Sequence, residues 1–306
     1  MSAIRVEHLH KTYGTTVAVE DLSFEVHPGE VYALLGHNGA GKSTTVEILE
    51  GHRERTSGEA AVLGMDPVAG GRELRDRIGI VLQSSGLEPE LTVREAIRIY
   101  GGCYRRPRPL DEVVGLVGLD EKVDARIGSL SGGQRRRADL ALGIVGRPEV
   151  LFLDEPTTGF DAVARRRSWE LVESLCSGGT TVLLTTHYLD EAEHLADRVG
   201  VMVAGSMVAE GSPDQLISAM PDTRVSFTVA DGIDLGGLDA VLPVSHRWDG
   251  RRVEFPSASP TADVHAVTAW ALEREVELSA LSVHRPSLED VYLRLSADGE
   301  AEGATE

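Results

Sequence analysis

Hydrophobic and polar residues alternate along two stretches near the start of the chain, residues 4–7 and residues 22–26. A period of two is typical of half-exposed strands, and we expect these two to be antiparallel. Three later runs, residues 31–35, 150–153 and 181–184, are mainly apolar. Runs of this kind are typical of parallel strands buried on both faces. The pattern therefore predicts an α/β fold with a mostly parallel core sheet and an antiparallel β subdomain.

Helical spacing replaces strand spacing in the segments between these runs. Residues 44–50 follow a glycine-rich loop and end before Gly51, which favours a helix with glycine near its C-terminus. Between the first and the second apolar run, three further helices are predicted: residues 91–100, residues 110–117, and a segment after residue 134 that stops before Pro148. We therefore expect a helical insert at about residues 88–146.

The pattern changes near Met220 and Pro221, where we predict the end of a first domain that spans residues 1–220. Residues 221–297 carry a mixture of strand and helix signals and predict a small α+β domain. Residues 298–306 are small and acidic, so we expect a disordered tail there.

Two local signals support structure in the C-terminal domain. Asp249 and Gly250 lie between two short strand-like segments, and this dipeptide is a strong signal for a hairpin turn. Ser287 is followed three residues later by Asp290, which approximates a capping box and predicts the start of the last helix.

The composition limits the possible functions. The chain has 306 residues, a formal charge of −19, 42% hydrophobic and 26% charged residues. This charge argues against nucleic acid as a partner, because phosphate backbones are bound by basic patches. Cys103 and Cys176 are too few and too far apart for a disulfide scaffold or a zinc site, which fits a reducing cytosol.

Membrane and targeting signals are also absent from the sequence pattern. No apolar run approaches the ~18 residues needed to cross a bilayer, and the first residues lack the apolar stretch of a signal peptide. If the protein serves transport, we therefore expect the pore to be another polypeptide.

A glycine-rich loop follows the first apolar run and has the pattern G-x-x-x-x-G-K-S. The residues are Gly36, His37, Asn38, Gly39, Ala40, Gly41, Lys42 and Ser43, with Thr44 opening the predicted helix. Backbone N–H groups of such a loop can surround a triphosphate, the lysine can reach the β- and γ-phosphates, and the serine hydroxyl can bind Mg²⁺. The alternative is a glycine-rich turn with a chance lysine. That alternative is weak because the chain has only Lys11, Lys42 and Lys122.

Residues with candidate chemistry follow all three apolar runs, and those after the second and third runs are polar. They are Gly36, the pair Asp154 and Glu155, and His187. Ligands of open α/β sheets bind at the carboxyl ends of the strands. We therefore expect these residues to share one site.

A second motif, LSGGQ at residues 130–134, narrows the class. Its serine and glycines begin a predicted helix, and a helix N-terminus is suited to binding phosphate. A phosphate-binding loop followed at this distance by LSGGQ resembles the ATP-binding cassette (ABC) family, and the resemblance covers residues 1 to about 220. It implies an α/β P-loop ATPase subunit of an ABC transporter that uses ATP and Mg²⁺.

The resemblance also implies catalytic roles. Asp154 would hold Mg²⁺ and Glu155 would be the general base that activates the attacking water. His187, followed by YLDEAE, matches the family's switch histidine at the γ-phosphate, although a strand-end histidine taken alone is more often an ordinary surface residue. Gln83 matches the glutamine that contacts Mg²⁺ and the attacking water and senses the membrane partner.

Further residues match the positions that bind nucleotide in the family. Tyr13 matches the aromatic residue that stacks on adenine, with a core aromatic residue in a strand as the alternative. In the family a head-to-tail homodimer forms, and the signature of each subunit closes over the phosphate-binding loop of the other. The matching residues are Ser131, Gly132, Gly133 and Gln134, together with Asp161 of the interface-crossing D-loop.

Small departures from the family pattern occur at three positions. His37, Phe160 and Ala162 replace the commoner proline, leucine and proline. None of the changes removes a ligand, so the resemblance still implies an active ATPase.

Residues 281–292, LSVHRPSLEDVY, resemble the C-terminal segment of daunorubicin-resistance-type exporter ATPases, which supports subunit assembly in that group. A generic α+β appendage is the alternative. The resemblance implies an ATPase that drives export of a hydrophobic, drug-like compound through a separate multi-span membrane subunit. We expect the chain at the cytoplasmic face of the cell membrane.

Two other functions fit parts of the sequence. Export of a lipid or polysaccharide would need the same ATPase with a different cargo, and the sequence does not separate these cargoes. A cytosolic cassette ATPase that acts on translation or chromosomes is disfavoured. Such proteins usually carry two cassettes in one chain or a long coiled-coil insertion, and this sequence has neither.

Overall fold

The computed structural model describes residues 2–82, 86–219, 223–230, 237–238, 241–242, 246–284 and 286–303. The chain divides into two compact units, of which the first comprises Met1–Pro213 with Arg294–Glu306 and the second Asp214–Leu293. The predicted boundary lies a few residues beyond this division, at Met220 and Pro221, which are outside the described residues.

The first unit is built on a nine-stranded sheet with the order β4-β1-β2-β9-β8-β3-β7-β6-β5. Its strands are β1 (Ile4–Tyr13), β2 (Thr16–Val26), β3 (Val31–Gly36), β4 (Ser57–Val62), β5 (Ile78–Val81), β6 (Val150–Asp154), β7 (Thr181–Thr185), β8 (Arg198–Val203) and β9 (Ser206–Gly211). The run from β8 to β5 is parallel, as the apolar runs predict. The predicted fold class is confirmed.

The antiparallel part of the sheet contains β4, β1 and β2. Along β1, Ile4 and Val6 are buried while Arg5 between them is exposed, as expected from the period of two. This part joins the parallel part through β2 and β9, where Asp21 pairs with Ser206. One hydrophobic core extends under both parts.

Helices cover the sheet and form the predicted insert. They are α1 (Lys42–Leu49), α2 (Gly71–Arg75), α3 (Val93–Gly101), α4 (Leu110–Val117), α5 (Gly132–Ile144), α6 (Ala162–Ser177) and α7 (Leu189–Leu195). The insert is formed by α3, α4 and α5. Thr92 and Glu95 form a capping box at the start of α3, which fixes where that helix begins.

The second unit has a four-stranded antiparallel sheet with the order β11-β12-β10-β13, and its described helical residues lie in α8 (Pro213–Ser218), α9 (Pro260–Glu273) and the first part of the last helix. The strands are β10 (Thr223–Val229), β11 (Arg247–Asp249), β12 (Arg252–Ser257) and β13 (Leu278–His284). The predicted hairpin at Asp249 and Gly250 joins β11 to β12, and the α+β domain is confirmed. Phe227, Phe255 and Trp270 are buried in its core.

The last helix, α10 (Leu288–Gly303), begins directly after Ser287, whose backbone N–H donates to Asp290 Oδ2 at 2.9 Å. It continues past residue 298, where we expected a disordered tail to begin. That stretch contains alanine and glutamate, which are good helix formers. Within the described residues, the structure has no helix long and apolar enough to cross a membrane.

Candidate nucleotide site

The phosphate-binding loop connects the end of β3 at Gly36 to the start of α1 at Lys42. Gly39 and Gly41 have φ values of 90° and 100°, a region that side chains disfavour. A Cβ at Gly41 would also collide with the carbonyl oxygen of Ala18. The glycines therefore allow the loop to turn tightly and pack against β2.

Lys42 is held beneath the loop rather than extended into solvent. It is 7% exposed, and its Nζ donates to the carbonyl oxygens of Gly36 at 2.6 Å and His37 at 3.1 Å. Burial lowers the pKa of Lys42, while the nearby carboxylates of Glu155 and Asp154 act in the opposite direction. The ammonium group therefore lies close to both carboxylates, at the edge where the apolar runs predict a site.

The rim of the loop is open. His37, Asn38 and Gly39 are exposed, as is Ser43 in the first turn of α1. The first backbone hydrogen bond of that helix runs from Thr45 N to Gly41 O at 2.9 Å. The N–H groups before Thr45 thus precede the intrahelical ladder and can bind an anion, with the helix dipole in favour. Ala40 is buried and Thr44 half-buried behind this rim.

Asp154 is the last residue of strand β6, Glu155 follows it, and their carboxylates contact different side chains. The Thr185 hydroxyl of β7 donates to Asp154 Oδ1. Glu155 has φ 47°, an unusual value for a residue other than glycine, and its N–H donates to Thr185 O at 2.9 Å. This turn separates the two carboxylates, so they can serve different atoms of one ligand.

His187 meets Glu155 directly. Its Nδ1 lies 3.0 Å from Glu155 Oε1, and the Thr158 hydroxyl donates to Glu155 Oε2 at 3.3 Å. The histidine side chain is 45% exposed, whereas that of Glu155 is only 13% exposed. His187 therefore lies beside the carboxyl group expected to be the general base, and its role as the switch histidine stays a prediction.

Tyr13 is the last residue of β1. It is 40% exposed, with Lys11 Nζ at 4.9 Å and Arg53 Cζ at 5.2 Å from the ring centroid. The alternative of a core aromatic residue is therefore wrong. Gln83 lies outside the described residues.

The signature motif and the D-loop aspartate both cap helices. Ser131 is the N-cap of α5, and its hydroxyl accepts from Gln134 N at 3.3 Å while Gln134 Oε1 accepts from Ser131 N at 3.0 Å. Gly132 is exposed and Gly133 half-buried. Asp161 is the N-cap of α6 and is exposed. These two helix starts therefore present backbone to solvent.

Sequence reasoning missed several residues around the site. Arg136 is buried under the loop that carries Asp154 and Glu155. The burial of Arg136 could have been predicted from its position four residues before Leu140, because residues four apart lie on the same face of a helix and both are buried in α5. Thr185 had no signal beyond being the residue after the third apolar run.

Two buried carboxyl groups were also missed. Glu50, 5% exposed at the end of α1, has its pKa raised to about 8 by burial, with further contributions from Asp154 and Glu47. Glu191 is fully buried in α7, where Trp169 Nε1 donates to its Oε1 at 3.2 Å and burial raises the pKa. The sequence gives no signal for Glu50, whereas Glu191 lies in the YLDEAE segment that follows His187, where only its burial was not expected.

This fold and site define a class: a P-loop ATPase cassette with a helical insert that carries a signature motif. A family described as ABC transporter matches residues 19–158. A second family, described as ABC transporter domain-containing protein-like, C-terminal domain, matches residues 223–287.

Relatives match along nearly the whole chain. The daunorubicin resistance ATP-binding protein DrrA3 of Streptomyces coeruleorubidus is 37% identical over 97% of this chain and 96% of its own length. The Nod factor export ATP-binding protein I of Rhizobium etli is 43% identical over 97% of this chain and 94% of its own length. The chain therefore belongs to the ABC transporter family as an ATP-hydrolysing subunit, which confirms the predicted class.

Solved structures agree on the fold. An ATP-binding subunit of an ABC transporter aligns with a TM-score of 0.66 and 26% identity over 71% of this chain and 92% of its own. A bacterial ABC transporter cassette solved as a dimer aligns with a TM-score of 0.61 and 24% identity over 68% of this chain and 98% of its own.

Proposed function

We propose that this chain hydrolyses Mg-ATP at the candidate nucleotide site and thereby powers export through a separate membrane subunit. The observation that carries the proposal is the pair formed by Glu155 and His187, 3.0 Å apart at the edge that also holds Lys42. Mg²⁺, held by Ser43 and Asp154, would neutralise charge on the β- and γ-phosphate oxygens.

Several residues of this chain have separate roles in hydrolysis. Lys42 and the N–H groups at the start of α1 bind the phosphates and hold the γ-phosphate in place. Glu155 accepts a proton from the attacking water, and His187 orients the Glu155 carboxylate through its Nδ1 contact. Tyr13 offers an exposed ring for the adenine base.

The variant Glu155→Gln tests this assignment. It removes the general base while keeping the shape of the side chain, so the ATPase rate falls by about 10²–10⁴-fold, while the affinity for ATP stays close to wild type. Phosphate release and the binding of a fluorescent ATP analogue measure the two quantities. Glu59→Gln, at an exposed glutamate in β4, is the matched control and keeps the wild-type rate. Wild-type turnover in Glu155→Gln would contradict the assignment.

We further propose that two copies form a head-to-tail homodimer around ATP. Support comes from the α5 N-terminus on the helical insert, where the N-cap residue Ser131 and the following Gly132 are both exposed. In Glu155→Gln protein, bound ATP persists, so addition of ATP shifts the elution volume from monomer to dimer. An additional Ser131→Arg change blocks this shift, and a dimer that still forms would contradict the arrangement.

A second part of the proposal concerns the surface on which the membrane subunit binds. A groove of about 330 Å³ lies between β5, α3 and α5, with Tyr100, Tyr104 and Asp139 among its lining residues. Burial raises the pKa of Asp139 to about 6. Ile99, also on α3, is 55% exposed. An apolar groove with one carboxyl group suits a short amphipathic segment of a membrane subunit.

Capture from membranes tests the partner and the location together. Tagged Glu155→Gln protein, incubated with Mg-ATP and solubilised membranes of the source cell, is expected to retain a multi-span membrane protein. The same experiment without nucleotide is the control. Recovery of soluble partners alone would overturn both the transporter role and the placement at the cytoplasmic face of the membrane.

We propose a hydrophobic, drug-like compound as the cargo, with a lipid or polysaccharide as the second candidate. The relative named for daunorubicin resistance favours a hydrophobic, drug-like compound. The other relative is named for Nod factor export and has the higher identity of the two, so a second candidate cargo is kept. Export assays with vesicles that contain the captured partner would separate these cargoes.

A further inference from the structure

Arg136 connects the signature helix to the catalytic loop of the same chain. The side chain is 7% exposed, and its guanidinium group donates to a cluster of backbone carbonyl oxygens. Its Nε reaches Pro156 O at 3.1 Å, and its Nη2 reaches Asp154 O at 2.6 Å and Glu155 O at 3.0 Å. Its Nη1 donates to Leu82 O at the end of β5. One side chain therefore holds three consecutive peptide groups after β6.

One of these peptide groups belongs to Glu155, whose backbone conformation is strained. Glu155 has φ 47°, and a left-handed conformation of a residue other than glycine costs about 1–3 kcal/mol. On one side the Glu155 N–H is held by Thr185 O at 2.9 Å, and on the other the Glu155 carbonyl is held by Arg136. The arginine therefore helps to maintain the turn that separates the Glu155 and Asp154 carboxylates.

The chemistry of the contact requires a guanidinium group. Its planar fork offers five donors in fixed directions, so it can bind several carbonyl oxygens that lie in different positions around it. A lysine ammonium group at the same place would offer one nitrogen and could not span the carbonyls from Leu82 to Pro156. Burial lowers the pKa of Arg136, and the nearby carboxylates, first of all Asp139, act in the opposite direction.

We propose that Arg136 is a positioning residue through which the signature helix of a chain sets the geometry of Glu155 in that same chain. The inference rests on the proposed function, in which the α5 N-terminus closes over the nucleotide of a second copy. A movement of α5 on closure would be passed by the guanidinium group to the carbonyl groups around Glu155. Each catalytic loop would then respond to the nucleotide held by the other subunit.

The test uses Arg136→Met and Arg136→Lys in the full chain. Misplacing a catalytic group by about 1 Å can reduce a rate by about 10²-fold. We expect kcat to fall by about 10- to 100-fold in both variants, the Kd for a fluorescent ATP analogue to stay near wild type, and the dependence of the rate on ATP concentration to lose its cooperativity. In Arg136→Ala, added guanidinium ion should restore part of kcat, whereas ethylammonium ion should not.

Arg108→Met is the matched control. Arg108 belongs to the same insert, its side chain is 16% exposed, and its Nε donates to Ile144 O at the other end of α5 at 3.1 Å. It also pairs with Glu112 at 2.5 Å. The variant removes a similarly buried guanidinium group that does not contact the catalytic loop. The kcat and the cooperativity should therefore be those of the wild type.

The outcomes separate the two proposals. A wild-type protein without Mg-ATPase activity would overturn the proposed function, whatever the Arg136 variants do. With an active wild type, unchanged kcat and cooperativity in Arg136→Met would overturn the positioning role. A parallel loss of ATP affinity, thermal stability and kcat that guanidinium ion does not rescue would also overturn it, because it would indicate a merely structural contact.

Discussion

Glu50 predicts a specific dependence of stability on pH. Its folded-state pKa is about 8, compared with an ordinary value of 4.5, because the carboxyl group is buried at the end of α1 near Asp154 and Glu47. The native protein therefore binds a proton at neutral pH that the unfolded chain releases. The stabilising contribution of this proton is complete below pH 4.5 and is lost as the pH rises to about 8.

The size of the effect follows from the two pKa values. At 1.36 kcal/mol per pH unit, the whole interval from pH 4.5 to pH 8 corresponds to about 5 kcal/mol. The calculated pI is about 4.9, so solubility is lowest near that pH and the useful range begins above it. Between pH 5.5 and pH 7.5 the expected loss is about 2.5 kcal/mol.

The variant Glu50→Gln removes the titrating carboxyl group, provided that His52, whose Nδ1 lies 3.2 Å from Glu50 Oε2, is replaced by glutamine in both proteins. The free energy of unfolding would be measured by urea denaturation without nucleotide or Mg²⁺, following Trp169 after Trp248 and Trp270 are replaced by phenylalanine in both proteins. The difference between variant and parent should grow by about 2.5 kcal/mol from pH 5.5 to pH 7.5. Glu59→Gln, at an exposed carboxyl group, should show almost no such trend. A difference for Glu50→Gln that stays flat across this range would refute the reasoning.

Two further predictions concern the walls of the nucleotide site. Tyr13→Ala should weaken ATP binding by about 1–3 kcal/mol with little change in thermal stability, because the ring is 40% exposed; calorimetric titration would measure it, and an unchanged Kd would remove Tyr13 from the adenine site. Gly41→Ala should lower the melting temperature more than Gly39→Ala. Both glycines have positive φ values, but only Gly41 faces the carbonyl group of Ala18, so equal shifts in the two variants would contradict the packing argument.

Much of the scaffold could be predicted because its signals are local. The helix α4 begins and ends where helical spacing places it, and the glycines of the phosphate-binding loop mark the turn from β3 to α1. The apolar runs predict parallel strands, and parallel strands bring their carboxyl ends to one edge. Asp154 and His187 could therefore be expected near the loop from the amino-acid sequence alone.

The remaining features depend on contacts between distant parts of the chain. The left-handed turn at Glu155 depends on the Thr185 carbonyl and on Arg136, which lie 30 and 19 residues away in sequence. The burial of Glu50 depends on the strands packed around α1, and no pattern within the helix indicates it. The pairing of Asp21 with Ser206, which joins the two parts of the sheet, is likewise invisible to local periodicity.

The groove beside α3 also has a practical consequence for chemical labelling. Cys103 is exposed just after α3 and next to Tyr104 of the groove. Cys176, the other thiol, donates to Gly29 O at 2.8 Å, and burial raises its pKa to about 11, so it forms almost no reactive thiolate at neutral pH. A maleimide dye would therefore label the folded chain at Cys103 alone. A dye on Cys103 would thus report whether the groove is occupied, without any substitution in the sequence.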